Sequence, residues 1–287
     1  MALKEDKNKI KKGLYVVSTP IGNLRDITLR ALDVLKESNT ILCEDTRVSK
    51  KLLSNYNIDN KTISYHKFNE RKNLEKIINF LKEGQVVSLI SDAGTPTISD
   101  PGKILIKKCI DEGIFVIPIP GPSAVISSLS ISGFSDQFYF HGFLSETNNS
   151  INKEFEFLKS LKCSIVFFIS AQKLRKRFDL LKKFFIEREI LVCRELTKIH
   201  ETFYRSKVSE VDNFEFTPKG EVTVIISEKK NDYKSDLNES DKNKIQELIK
   251  KKSVKDIVRM FSQEKNISKS KIYNYCLQIK NENKNII

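Results

Sequence analysis

The densest run of ligand-holding residue types in this chain is Ser91-Asp92-Ala93-Gly94-Thr95-Pro96-Thr97-Ile98-Ser99-Asp100-Pro101-Gly102. Glycine lets a backbone approach a ligand and take positive φ, proline fixes φ, and Ser, Thr and Asp present hydroxyls and carboxylates to polar edges. Two further stretches share that texture. Glu44-Asp45-Thr46-Arg47 places opposite charges at the end of an apolar run. Pro118-Ile119-Pro120-Gly121-Pro122-Ser123-Ala124 sets three prolines around one glycine, a stiff loop that would lose little entropy on clamping a ligand. Read singly, each is also an ordinary turn, and the acidic pair with its arginine is also a solvated helix start. Twelve consecutive residues that are nearly all small, polar or ring-constrained weigh towards a site.

Each of these loops follows an apolar run of strand length. Leu14 to Ser18 leads into Thr19-Pro20-Ile21-Gly22-Asn23-Leu24-Arg25-Asp26, Thr40 to Cys43 into the Glu44 to Arg47 stretch, Val86 to Ile90 into the long loop, and Ile114 to Ile117 into the proline loop. A helix is expected from Ile27 or Thr28, capped by Asp26, with Leu29, Leu32 and Leu35 and the adjacent Ala31 as its apolar face. Further helices are expected at Val48 to Leu53, Asn69 to Lys82 with Gly84 as a stop, Lys103 to Ile110, and Ser123 to Ser132. Four strand–helix units with loops at one edge predict a parallel sheet with right-handed crossovers over residues 12–122. Open α/β sheets bind their ligands at that carboxyl edge.

Residues 123–228 read as a second α/β domain. Its strands are expected at Phe138 to Phe143, Ser164 to Ile169, Ile190 to Cys193 and Val222 to Ile226, and its helices at Lys153 to Leu161 and Gln172 to Phe185. Arg194 to Glu201 and Lys219 to Glu221 are polar patches at strand ends, readable as site elements or as a polar loop and a hairpin turn. Residues 229–241 lack apolar periodicity and read as a linker. Residues 242–287 carry three helical patterns, Lys242 to Lys251, Val254 to Gln263 and Ser268 to Lys280, the last two joined by a turn at Asn266-Ile267-Ser268. The fold class is therefore α/β, two α/β domains plus a small C-terminal helical unit.

At 287 residues, 39% apolar and 30% charged, the chain can bury substantial cores. No apolar run approaches membrane-spanning length, and Met1 to Lys12 lacks the apolar segment of a secretion signal. Five scattered cysteines without paired spacing argue for reduced, buried thiols in a cytoplasmic protein, against a disulfide framework and against zinc. His66, His141 and His200 are too far apart for a sequence-local metal motif, so no metal is expected. The formal net charge is +13. Residues 229–287 hold 15 basic and 8 acidic residues, so about half the excess lies on a unit that resembles a helix-turn-helix, which favours a nucleic-acid partner.

Taken together, Thr19 to Ala31, Glu44-Asp45-Thr46-Arg47, the 91–102 loop and Pro120-Gly121-Pro122-Ser123-Ala124 resemble the signature of the ribosomal RNA small subunit methyltransferase I family, within the tetrapyrrole methylase superfamily. Arg194 to Glu201, Lys219 to Val224 and the basic helical tail match in the same order, so the resemblance covers nearly the whole chain. It implies S-adenosyl-L-methionine bound in a cleft between the two α/β domains, 2'-O-methylation of a cytidine ribose in 16S rRNA of the small subunit, and a homodimer. It further implies that Pro20, Gly22, Asn23, Ser91, Asp92, Ala93, Gly94, Thr95, Pro96 and Ser99, with Pro120, Gly121, Ser123 and Ala124, bind the cofactor. Phe168, Ile169, Ser170, Leu196, Gly220, Glu221 and Val222 are expected to frame its adenosine. No metal and no membrane enter this picture.

A ribose hydroxyl is a poor nucleophile until its proton has an acceptor, which is work for a carboxylate or imidazole. Asp26, Asp45, Asp100 and His66 are candidates by loop position, with Asp45 ranked first as acceptor and Arg47 as phosphate clamp. The chain departs from the family pattern at Thr97, where a glycine is usual, at Ile169-Ser170-Ala171-Gln172-Lys173, and at Ser145-Glu146-Thr147, which replaces a basic segment. Two other readings remain open: a tetrapyrrole or other small-molecule methyltransferase of the same fold, and a non-catalytic RNA-binding ribosome-assembly protein.

Overall fold

The computed structural model describes residues 10–215, 217–229, 237–264 and 267–284. The chain forms two compact units, residues 1–229 and 230–287. In the first unit, β1 (Gly13–Val17), β2 (Thr40–Cys43), β3 (Thr62–Ser64), β4 (Val86–Ile90) and β5 (Val116–Ile119) form an all-parallel sheet in the order β3-β2-β4-β1-β5. Alternate residues of a strand face opposite sides. Tyr15, Ile41 and Cys43 accordingly enter a core beneath α1 (Leu29–Glu37) and α2 (Thr46–Asn55). Leu14, Leu42, Val87 and Leu89 enter another, with side chains of α3 (Glu70–Lys82) and α4 (Lys103–Asp111). Burial on both faces is why these strands read as unbroken apolar runs.

Several local expectations shift. Thr28, not Asp26, caps α1, its Oγ1 accepting from Ala31 N–H at 3.1 Å, while Asp26 sits in a separate 3-10 turn, Leu24–Asp26. The helix buries Ala31, Val34 and Leu35 and leaves Leu29 81% exposed, because the i, i+3, i+4 stripe runs from Ala31. β5 starts two residues later than expected and includes Pro118, which an edge strand tolerates.

The connections leave β1 on one side and β4 on the other, so the strand order reverses between these neighbours and opens a crevice at their carboxyl ends. After β5 comes α5 (Ala124–Ser130), whose Val125 packs on a second sheet. That sheet comprises β6 (Phe138–Phe143), β7 (Ser164–Ser170), β8 (Glu189–Arg194), β9 (Thr202–Lys207) and β10 (Glu221–Ile226) in the order β6-β7-β10-β8-β9, with only β6 and β7 parallel. Its other face is covered by α6 (Asn148–Ser160) and α8 (Phe178–Phe185) around Phe155, Phe167 and Phe185. The single helix expected over Gln172 to Phe185 is two, α7 (Ala171–Arg175) and α8. Between them Arg177 N–H turns to the Leu174 carbonyl at 2.8 Å.

In the second unit, α9 (Glu239–Leu248), α10 (Val254–Glu264) and α11 (Lys269–Lys284) enclose Ile245, Ile257, Phe261, Ile267, Ile272, Cys276 and Ile279. Most of the expected 229–241 linker, and Asn266 of the expected turn, lie outside the described residues. No described helix is long and apolar enough to cross a membrane.

Candidate active site

Three strand-end loops of the first sheet are stapled together. Thr19 and Gly94 exchange backbone hydrogen bonds at 2.9 and 3.0 Å, Thr19 Oγ1 donates to the Ser91 carbonyl at 3.1 Å, and the Ser18 and Thr95 hydroxyls meet at 3.0 Å. Thr95 Oγ1 also donates to the Pro122 carbonyl at 3.4 Å, which brings in the loop after β5. Gly94 holds φ +79° against Ile21, a conformation that favours a residue without Cβ. Thr97 at φ +72° and Ser99 at φ +71° take the left-handed region without that freedom, and for β-branched Thr97 the strain is considerable.

Facing these loops are the strand ends of the second sheet. Gly22 lets the loop after β1 pass against residues 196–198, where any Cβ would lie 2.5 Å from Lys198 Cγ, and Asn23 N–H donates to Thr197 Oγ1 at 3.0 Å. Lys198 Nζ bridges Glu195 Oε1 at 3.1 Å and Glu221 Oε2 at 2.9 Å, tying the two polar patches to each other.

Both sets of loops enclose a cavity of about 340 Å3. From the first sheet come Ile21, Asp92, Ala93, Gly94, Thr95, Ile98, Ser99 and Asp100, with Ser123, Ala124 and Val125 at the start of α5. From the second come Phe143, Phe168, Ile169, Ser170, Cys193, Leu196, Lys198, Glu221, Val222 and Thr223. Among the residues expected to bind a cofactor, Pro20, Gly22, Asn23, Ser91, Pro96, Pro120, Gly121 and Gly220 are not in this wall. Gly22 and Gly121 permit close loop contacts behind it, and Pro20 and Ser91 line a second, smaller cavity. Ile21, Ile98, Val125, Phe143, Cys193, Lys198 and Thr223 join the wall although none of them was named as a cofactor contact. Cys193 and Thr223 are register partners on β8 and β10, so strand alternation was the available signal for both.

The candidate proton acceptors differ sharply in environment. Arg47 donates to Asp45 through Nε at 3.1 Å and Nη2 at 2.6 Å, and its backbone N–H adds a third bond at 2.8 Å. These hydrogen bonds hold the Asp45 carboxyl down to about 2, and the same carboxylate caps α2. Asp100 is instead pushed up to about 6, first by burial and then by the Glu44 charge, against the opposing Ser91 hydroxyl. His66 Nδ1 accepts from Phe68 N–H at 3.3 Å, and Asp26 is exposed; neither lines the cavity.

The donor set suits S-adenosyl-L-methionine. A cavity of about 340 Å3 lies in the range of small-molecule sites, roughly 300–1,000 Å3. Carboxylates at Asp92 and Asp100 suit cationic groups and a ribose diol, hydroxyls suit an amino-acid end, and Phe143, Phe168, Leu196 and Ile98 offer apolar faces for a heterocycle. Among the described residues no group of three or more His, Cys, Asp or Glu could hold a metal ion.

Residues 13–212 match the model of the tetrapyrrole (corrin/porphyrin) methylases, and the chain belongs to that family. Solved structures agree on the fold: diphthine synthase (TM-score 0.59, 12% identity, 75% of this chain and 89% of that one) and a cobalt precorrin-4 methyltransferase (TM-score 0.55, 17% identity, 75% and 94%). More particularly, its curated relatives are named ribosomal RNA small subunit methyltransferase I. That of Mesomycoplasma conjunctivae is 47% identical over 230 residues, 77% of this chain and 96% of the relative. That of Bacillus subtilis is 37% identical over 269 residues, 91% and 92%.

Proposed function

We propose that this chain is an S-adenosyl-L-methionine-dependent methyltransferase that acts on the 2'-hydroxyl of a cytidine ribose in 16S rRNA of the small ribosomal subunit. The observation that carries the reading is the walled cavity holding Asp100, a carboxyl near 6 at the carboxyl edge of a parallel sheet. Relatives named for the small-subunit rRNA supply the substrate. Held in the cavity, the cofactor supplies an electrophilic methyl group on a sulfonium. Asp92 and Asp100 balance that positive charge, the apolar walls exclude water, and the stapled loops fix the alignment on which an in-line displacement depends. Asp100 would take up the proton released by the ribose hydroxyl that such a cofactor methylates. Asp45 is too acidic for that task and is better read as the group that orients Arg47 towards phosphate.

The second unit serves docking. Lys250, Lys251, Lys252, Lys255, Lys269, Lys271 and Lys280 are exposed around its apolar core, a surface suited to a phosphate backbone. The same reading places the protein in the cytoplasm as a homodimer, which sedimentation would test. Transfer of a labelled methyl group to 30S particles, compared with naked 16S rRNA and a porphyrin precursor, tests the whole. Labelled porphyrin with unlabelled RNA would overturn it.

A further inference from the structure

Behind Asp92 lies the second cavity, about 200 Å3, between the loop after β1 and the first turns of α2. Leu24, Val48 and Leu52 supply apolar walls, and Leu24 and Val48 are 40% and 41% exposed although they rim a concavity. The wall formed by Leu24 is fixed, since Tyr56 Oη donates to the Leu24 carbonyl at 2.6 Å. Ser49, 3% exposed, contributes to the wall, but its hydroxyl is fully buried and turns to the Cys43 thiol. Lys51 stands exposed at the rim. Asp92 lines both cavities, and with Oδ1 held by Asp45 N–H at 3.0 Å its second oxygen is left to accept.

We propose that this cavity seats the pyrimidine base of the target nucleotide, extruded from the RNA, with Asp92 accepting from the exocyclic amine that distinguishes cytosine from uracil. The proposal rests on the rRNA cytidine reading above and names how that substrate is recognised. Size supports a single ring: a cavity of roughly 150 Å3 holds benzene, and this one is about 200 Å3. Chemistry supports a base, because two apolar faces with a carboxylate and an ammonium at the edge match a flat ring with polar substituents. An enzyme working on a nucleotide inside folded RNA gains by taking its base out of the stack. Adjacency supports the target itself, since a base held behind Asp92 puts its ribose beside the cofactor cavity.

The test begins with binding, which needs no turnover. Cytidine 5'-monophosphate is titrated into the full-length protein loaded with S-adenosyl-L-methionine and followed by NMR. It is expected to bind at roughly millimolar concentration, and uridine 5'-monophosphate about tenfold more weakly. Val48→Trp, at an exposed rim position, should fill the cavity, abolish nucleotide binding and lower methyl transfer to 30S particles about 100-fold, while cofactor affinity stays as in the parent. Lys51→Ala, which adds no bulk, should weaken nucleotide binding about fivefold. Equal binding of the two nucleotides, or undiminished binding by a Val48→Trp protein that still takes up cofactor, would overturn the proposal. A parent protein that binds cytidine 5'-monophosphate selectively yet methylates no RNA would instead sink the methylation reading and leave the pocket standing.

Discussion

Asp100→Asn should make the protein more stable and almost inactive. Raising the carboxyl from 3.8 to about 6 means the folded protein favours the neutral form; at about 1.4 kcal/mol per pH unit the preference is at most about 3 kcal/mol, and solvent screening of this partly exposed group reduces it. A folded value above the unfolded one means that the ionised group opposes folding. The penalty is full above pH 6, where both states are ionised, shrinks as pH falls from 6 towards 3.8, and is absent below. Asparagine removes the charge while keeping the shape, so denaturant unfolding at pH 8 should show a gain of about 1–3 kcal/mol that disappears near pH 4. Methyl transfer to 30S particles should fall about 100- to 10,000-fold. In the parent protein the single-turnover rate should climb with pH through about 6 and then level off. A rate flat from pH 5 to 8, or an asparagine variant that keeps parental turnover, would refute Asp100 as the acceptor; Asp45, near 2, would give the flat profile.

Gly94→Val should abolish cofactor uptake, because a β-branched side chain at φ +79° forces the loop out of its bridge with Thr19; calorimetric titration should show no heat. Thr97→Gly should raise stability by about 1 kcal/mol, since relief of left-handed strain exceeds the extra freedom of the unfolded glycine. Differential scanning calorimetry reads that gain, and a lowered melting temperature would refute it. Replacing Lys250, Lys251 and Lys252 by alanine should leave cofactor affinity unchanged and reduce the log–log salt slope of RNA binding by about 0.7 to 0.9 per lost phosphate contact. An unchanged slope would remove that surface from docking.

The parallel sheet is legible in the sequence because β2 and β4 are buried on both faces and carry no polar interruption beyond Thr40 and Ser88. By contrast β3 is three residues long, and β9 is an edge strand of alternating half-buried and exposed residues whose only aromatic pair, Phe203-Tyr204, is flanked by polar ones, so neither leaves an apolar run to read. Gly, Pro and Asp mark the loops, but texture does not tell a cavity wall from the struts behind it. Pro120 and Gly121 belong to the same loop as Ser123 and Ala124 and do not line the same space. The walls given by Ile98 and Phe143 are exposed apolar residues with no local pattern, 49% and 66%. Asp45 and Asp100 are the same residue type at equivalent strand-end loops. What separates them is an arginine two residues away in one case and tertiary burial beside Glu44 in the other, and only the first is local.

The thiols form a built-in set of opening clocks. Cys43, Cys109, Cys193 and Cys276 sit in four different apolar clusters: under α1 and α2, under α3 and α4, against α5 at the cavity, and inside the second unit. Burial pushes Cys43 and Cys109 up to about 11 and Cys193 up to about 12, and raises Cys276 as well. Only the thiolate reacts with an alkylating reagent, so each sulfur stays silent until its own layer parts. Pulse alkylation of the unaltered chain, read by peptide mass, therefore times the separation of the layers one by one, and cofactor that closes the cavity should slow Cys193 while leaving Cys276 at its own pace.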